Sequence, residues 1–76
     1  MTILIYCRER EITLWGKFKN EEEAYKAMEN DLAKVLKINV PENWNDIEGR
    51  YDDFDIQYDS AWVNDNDNHD WKIINL

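Results

Sequence analysis

The chain has 76 residues, a formal net charge of −8 and one cysteine, and these values exclude several classes of protein. A chain of this length has room for a single domain, residues 1–76, and buries roughly 60% of its unfolded surface. One cysteine cannot form a disulfide within the chain, so we expect a reducing, cytoplasmic setting. The negative charge disfavours binding to anionic lipid or directly to nucleic acid, and no stretch approaches the roughly 20 apolar residues that span a bilayer.

The first half of the chain predicts a hairpin followed by a helix. Residues 3–6 and 12–15 are two β-rich runs on either side of the charged residues 8–10, which is typical of a hairpin. Asn20 and Glu23 have the spacing of a capping box, so a helix should begin at this point. Apolar residues then recur at intervals of three and four, which gives the helix one apolar stripe: Ala24, Tyr25, Met28, Leu32, Val35 and Leu36.

The end of this helix is marked by three signals. Pro41 prevents continuation, Asn39 can take the left-handed conformation that often ends a helix, and lysines suit the negative end of the helix dipole. The helix should therefore end near Lys37 or Ile38. It should pack its apolar stripe on the hairpin.

The second half predicts three strands. Residues 42–50 could form a helical turn that places Trp44 and Ile47 in the core before Gly49 ends it. Residues 53–59 alternate strictly, with Phe54, Ile56 and Tyr58 directed inward. Residues 61–63 and 71–76 are two further strands joined by a polar loop over 64–70. The order β-β-α-β-β-β predicts a single small α+β domain, in which one helix packs on a largely antiparallel sheet.

All of the net charge lies in the second half of the chain. Residues 1–40 contain seven basic and seven acidic side chains, whereas residues 41–76 contain two basic and ten acidic ones. Alternate residues of a strand lie about 6.5 to 7 Å apart on one face, comparable with the phosphate spacing of a nucleic-acid strand. Asp53, Asp55 and Asp59 should thus form a linear anionic array on the outer side of their strand. The candidate binding site adds three residues from neighbouring segments: Asp46, Glu48 and Trp62.

This array predicts a binding function without enzymatic activity. In size and acidity the chain resembles DNA-mimic inhibitors, anti-restriction and anti-CRISPR proteins, and immunity proteins that inhibit nucleases. That resemblance implies an inhibitor or accessory factor that presents an anionic face to a basic, nucleic-acid-binding protein. Codons for the abundant Asn, Lys, Ile, Glu and Asp are AT-rich, which suggests a bacterial origin, in a phage or another mobile element. No cofactor is expected.

Two other functions remain open at this stage. The acidity could serve solubility alone while the domain self-associates through its sheet as a homodimer. Alternatively, the loop over residues 64–70 could bind calcium through Asp65, Asp67 and Asp70, since calcium prefers oxygen ligands. Counted from Asp65, however, an EF-hand loop would need glycine and glutamate where Asp70 and Leu76 stand. A turn rich in Asn and Asp explains the same residues through backbone capping.

The sequence supports a catalytic function less well than a binding function. A Cys7–His69 nucleophile and base would need the two residues to meet in the fold, together with a third orienting group. Asp53 and Asp55 have the residue types of a glycosidase acid and base, but a domain of this size offers little cleft to hold a sugar. We therefore expect no enzymatic activity.

Overall fold

The computed structural model describes residues 1–47, 53–64 and 67–76, apart from the side chains of residues 14 and 15. Its elements are β1 (Thr2–Arg8), β2 (Glu11–Phe18), α1 (Glu21–Leu36), a 3-10 turn (Trp44–Ile47), β3 (Asp53–Gln57), β4 (Ser60–Asn64) and β5 (Asn68–Asn75). The five described strands form one antiparallel sheet in the order β2-β1-β5-β4-β3. The expected α+β class and the order of elements are confirmed.

The helix α1 packs on one face of the sheet and closes a small core. Strand alternation places every second residue of the central strands on this side, because successive side chains point to opposite faces. Leu4, Val63 and Trp71 come from three neighbouring strands, and Met28 and Leu32 meet them from α1. All five are almost completely buried. Within the described residues, no helix has the length and apolarity needed to cross a membrane.

The start of α1 follows the sequence prediction. Asn20 has extended backbone angles, and its side-chain oxygen accepts a hydrogen bond from the Glu23 backbone N–H at 2.9 Å. The Glu23 carboxylate reaches back to the backbone N–H of Lys19 at 3.4 Å. Three glutamates in the first turn favour this end of the helix dipole.

The end of α1 corrects the prediction about Asn39. The left-handed residue is Lys37, with φ 61° and ψ 42°, and α1 ends at Leu36. The backbone N–H of Ile38 donates to the Ala33 carbonyl at 3.0 Å, which is the six-to-one bond of a Schellman motif. Ile38 packs against the core, and this hydrophobic contact places the reversal at Lys37 rather than two residues later.

The β1–β2 hairpin turns through two residues with positive φ. Glu9 and Arg10 have φ values of 49° and 71°, as a two-residue type I′ turn requires. Asn68, at the start of β5, holds this turn in place. Its carbonyl accepts from the Glu9 N–H at 3.0 Å, and its own N–H donates to the Glu9 carboxylate at 2.7 Å.

This turn gives a stability prediction. Arg10→Gly should raise the free energy of unfolding by up to about 1 kcal/mol, since a left-handed residue with a Cβ is strained and glycine is not. Glu9→Gly is the matched control and should not stabilise, because it also removes the carboxylate that holds Asn68. Urea unfolding of the two variants measures both changes. Equal stabilisation by both substitutions would contradict a role for the Glu9–Asn68 contact.

The end of β3 and the start of β5 differ from the predicted strands. Tyr58 is not directed inward: β3 ends at Gln57, and Tyr58 lies in the following turn with 76% of its surface exposed. The predicted loop over 64–70 is shorter, because β4 runs to Asn64 and β5 begins at Asn68. His69 is therefore a buried strand residue, with its Nδ1 2.6 Å from the hydroxyl oxygen of Tyr6. Pairing with β1 extends β5 beyond the apolar run seen in the sequence.

The predicted helical turn over 42–50 is present as the 3-10 turn Trp44–Ile47, and Gly49 lies outside the described residues. Trp44 is buried and Ile47 packs against the core, as expected. The Trp44 ring meets the Phe54 ring edge-on at 5.9 Å, and its indole N–H donates to the Glu29 carboxylate at 2.8 Å. The turn therefore lies on the helix side of the sheet.

Candidate functional site

The face of the sheet that points away from α1 carries no helix in the described part of the chain, and we call it the open face. The cross-strand register places Asp55 of β3, Trp62 of β4 and Asp70 of β5 side by side on this face. Directly paired residues have their Cβ atoms about 4.5 to 5.5 Å apart. Trp62 is 38% exposed. An accessible indole thus lies between two carboxylates, one on each neighbouring strand.

We call the β3–β4–β5 part of this surface the acidic half, defined by Asp53, Asp55, Trp62, Asn64 and Asp70. All five are exposed. Asp53 pairs with Asn64, one step along the strand from the Asp55–Trp62–Asp70 row. Asp55 accepts a hydrogen bond from the Gln57 side chain at 3.1 Å. Among the described residues, no basic side chain forms an ion pair with any of the three aspartates.

The structure separates the sequence-predicted site residues into two groups. Asp53, Asp55 and Trp62 come together on the open face. Asp59 lies in the turn after β3, where its carboxylate is 3.1 Å from the Lys72 ammonium, so it does not extend the array along the strand. Asp46 is exposed on the 3-10 turn, on the helix side of the sheet.

Glu48 lies outside the described residues. Asp70 belongs to the acidic half, although the sequence pattern predicts a loop at this position. The sequence does contain a signal for it. Residues 68–73 alternate between polar and largely aromatic or apolar side chains, which is the period of a strand and would have placed Asp70 on the outer face.

The apolar side chains of the open face lie together on and beside β1, and we call them the apolar half: Ile3, Ile5, Cys7, Ile12 and Ile74. Two exposed lysines border them, because Lys17 pairs with Ile3 and Lys72 pairs with Ile5. Ile3 pairs with Ile74, and Cys7 pairs with Ile12. Most of these side chains are half-buried among their neighbours, but Ile12 is 75% exposed. The two halves are continuous, because Cys7 also pairs with Asp70 across the β1–β5 boundary.

Asp67 and Asp70, the two described residues of those considered for calcium binding, lie on opposite sides of the sheet. Asp67 forms an ion pair with Arg8, whose Nε lies 3.1 Å from its carboxylate. Arg8 shares the helix-facing side of β1 with Leu4, whereas Asp70 belongs to the open face. Asp65 lies outside the described residues. Over the described ranges, no group of three or more acidic, histidine or cysteine side chains could hold a metal ion.

The register also separates Cys7 from His69. Cys7 pairs with Asp70 on the open face, while His69 pairs with Arg8 on the opposite face. A thiol and an imidazole on opposite faces of a sheet cannot exchange a proton directly. His69 instead stacks with Tyr6 and Trp71, with ring centroids 5.9 and 6.0 Å away.

Two concave regions lie away from the open face. The larger, of about 580 Å³, lies beside the Arg8–Asp67 ion pair and includes Tyr6 and Thr13 in its lining. The smaller, of about 270 Å³, lies between Tyr25 of α1 and the exposed Tyr58. Burial, followed by the nearby Glu29 charge, raises the pKa of Tyr25 above its ordinary value. Glu9, Glu11 and Asp67 also line the larger region, and Glu21 and Glu22 line the smaller one.

The open face is therefore the candidate functional site. No protein-family model matches the chain, and no match is found among curated proteins or solved structures.

Proposed function

We propose that this chain is a protein-binding domain without enzymatic activity, whose acidic half receives a basic surface of another protein. The observation that carries the proposal is the row Asp55, Trp62 and Asp70. An arginine or lysine side chain placed over an indole face gains a cation–π interaction, which strengthens as the pair loses water. Carboxylates on both sides of the indole would add charge-assisted hydrogen bonds to the same cation.

Solubility alone explains this arrangement less well. Charges that only maintain solubility need no particular neighbours, and they need no accessible tryptophan. Tryptophan is enriched among the residues that dominate interface energetics. Here an exposed indole shares one surface with three aspartates that form no ion pair with any described residue, while Asp59 and Asp67 are paired with Lys72 and Arg8.

The shape of the acidic half favours a basic protein groove as the partner surface. Asp53 and Asp55 are about 6.5 to 7 Å apart along β3, and Asp70 lies two strand spacings away, about 9.5 Å. A groove that otherwise holds a nucleic-acid backbone presents cations at comparable intervals. We therefore propose an inhibitor or accessory factor of a nucleic-acid-binding protein, acting in the cytoplasm of a bacterium. The negative field would also accelerate encounter with such a partner.

A second candidate function is self-association through the sheet. The specific observation in its favour is the apolar half, where Ile12 is largely exposed beside Cys7. Burial of such a surface would drive association with little dependence on salt. Sedimentation of the protein alone at low and high salt measures this association directly.

The proposed function is tested with two triple variants that remove the same charge. D53N/D55N/D70N neutralises the acidic half, and E22Q/E42Q/D46N removes three exposed carboxylates elsewhere. Binding of a deca-arginine peptide at low salt, followed by fluorescence anisotropy, should weaken about 10- to 100-fold for the first variant, since three charge contacts contribute about 1.5 to 3 kcal/mol. The control should change by less than about 3-fold, because distant surface charges are screened.

Circular dichroism should show both variants folded, because exposed strand charges contribute little to stability. Equal loss of affinity in the two variants would refute the proposal, since net charge and not the open face would then determine binding. Unfolding of D53N/D55N/D70N would contradict the surface position of these aspartates.

A further inference from the structure

The open face changes character along a single cross-strand row. From β2 to β3 the paired residues are Ile12, Cys7, Asp70, Trp62 and Asp55. The change from apolar to acidic falls at the β1–β5 boundary, in the middle of the sheet. The neighbouring row changes at the same boundary from apolar to basic, from Ile5 of β1 to Lys72 of β5, whose ammonium lies 3.1 Å from the Asp59 carboxylate. In the row beyond, Ile3 pairs with Ile74, so the face stays apolar across the boundary there.

The size of the face limits what can lie on it. The molecule is a flat plate with extents of 35 × 28 × 16 Å. Five strands spaced about 4.8 Å apart span about 19 Å, so a helix about 10 Å in diameter covers two or three strands. A helix that lies along the β1–β5 boundary would therefore contact the apolar half with one side and the acidic half with the other.

A second copy of the chain fits this face poorly. A symmetric face-to-face dimer has its two-fold axis in the plane between the sheets. If the axis runs across the strands, the acidic halves face each other; if it runs along the β1–β5 boundary, each acidic half faces an apolar half. Both arrangements bury Asp53, Asp55 and Asp70 together, and the described basic side chains of this face, Lys17 and Lys72, are too few to pair with all of them. An uncompensated buried charge is costly.

We infer that the open face binds an amphipathic helix of another protein, with apolar side chains over Ile5 and Ile12 and lysines or arginines over Asp70, from where they reach toward Trp62 on the next strand. This inference rests on the proposed function and adds the form of the partner segment to it. The opposite face of the sheet already shows the same packing, because α1 covers it through its own apolar stripe. A bound helix would complete a three-layer arrangement.

The test uses two 18-residue peptides of identical leucine and lysine composition. One places leucine at helical periodicity so that it forms an amphipathic helix, and the other has the same residues scrambled. The helical peptide should bind the wild-type protein at least 10-fold more tightly than the scrambled one, as measured by anisotropy. I5T/I12T should reduce this preference to less than 3-fold while leaving deca-arginine binding unchanged, because threonine keeps the β-branched shape and removes apolar surface.

The controls separate this inference from the proposed function. If I5T/I12T fails to fold by circular dichroism, Ile12→Thr alone replaces it, since Ile12 is largely exposed. Equal binding of the two leucine and lysine peptides would overturn the amphipathic-helix inference, while deca-arginine binding sensitive to D53N/D55N/D70N would still support the proposed function. A salt-insensitive dimer of the protein alone that I5T/I12T dissociates would overturn the inference in favour of a second copy. If deca-arginine binding does not depend on the acidic half, the proposed function itself fails.

Discussion

Leu4→Ala should lower the free energy of unfolding by about 3 kcal/mol, because it removes a completely buried side chain from the centre of the sheet. Leu4 lies on β1 between Gly16 of β2 and Ile73 of β5. Gly16 has no side chain, and the partly buried ring of Phe18 lies over it, 3.6 Å from the place of a Cβ. This ring can move into part of the space that the leucine leaves, and such partial collapse places the cost in the middle of the range for these substitutions.

A loss of this size is large for so small a domain. Stabilities of about 0.05 to 0.15 kcal/mol per residue give a chain of 76 residues roughly 4 to 11 kcal/mol in total. Urea unfolding measures the change directly, and the melting temperature should fall by about 12 to 24 °C. Ile12→Ala is the matched control and should change stability by less than about 0.5 kcal/mol, because Ile12 is on the surface. Similar losses in the two variants would contradict the assignment of the two faces.

This comparison also bears on the function. Ile3 and Ile5 flank Leu4 in β1 and point to the open face, so a destabilised β1 could weaken partner binding without any change in the surface. Leu4→Ala reports how far instability alone reduces peptide affinity at a temperature where the variant is still folded. A loss of affinity in I5T/I12T beyond that value reflects the lost apolar surface.

The order of elements could be predicted because its signals are local. The capping residues Asn20 and Glu23, the helical stripe and the alternation of residues 53–57 each depend on neighbours within a few positions. The errors fall where a distant contact decides the outcome. Lys37 rather than Asn39 ends the helix because Ile38 packs on the core, and β5 begins at Asn68 because the hairpin turn at Glu9 holds it.

The candidate site depends on strand order, which the alternation pattern does not contain. Asp55, Trp62 and Asp70 meet only because β4 lies between β3 and β5 in the correct register. They share one face because of this strand pairing, since a register shift of one residue would turn Trp62 toward the core. The sequence could identify the residue types of an acidic surface with an aromatic centre. It could not identify that Asp59 has an ion-pair partner, whereas Asp53, Asp55 and Asp70 have none among the described residues, because Asp59 and Lys72 are 13 residues apart and meet only in the fold.

The hydrogen-bond partners of the buried tryptophans could not be predicted from the sequence either. The apolar stripe of α1 predicts packing through apolar side chains, and it includes neither Glu29 nor Asp31. In the structure, the indole N–H of Trp44 donates to Glu29, and that of Trp71 donates to Asp31 at 2.7 Å. Buried indole N–H groups usually find a partner, but the sequence does not say which carboxylate will be near. These two bonds join α1 to the 3-10 turn and to β5.

Trp71→Ala should be the most destabilising single substitution considered, with a loss of about 3 to 5 kcal/mol. Trp71 is nearly completely buried, lies 5.2 Å from the Tyr6 ring and stacks with His69, so its removal affects both aromatic neighbours as well as the bond to Asp31. At the lower end of the expected total stability, this variant would be largely unfolded at 25 °C. Circular dichroism with urea titration distinguishes partial from complete loss.

A double-mutant cycle isolates the bond between Trp71 and Asp31. Trp71→Phe retains most of the buried ring and leaves the half-buried Asp31 carboxylate without its donor, whereas Asp31→Ala leaves a buried indole N–H; each should cost about 1 to 3 kcal/mol. The double variant W71F/D31A removes both partners, so its cost should be about 1 to 2 kcal/mol less than the sum of the single costs. The same cycle at Trp44 and Glu29 is the matched comparison. Additive costs at Trp71 and Asp31 would show that this hydrogen bond contributes nothing to holding α1 on the sheet, and the packing of Trp71 would then account for the whole loss in Trp71→Ala.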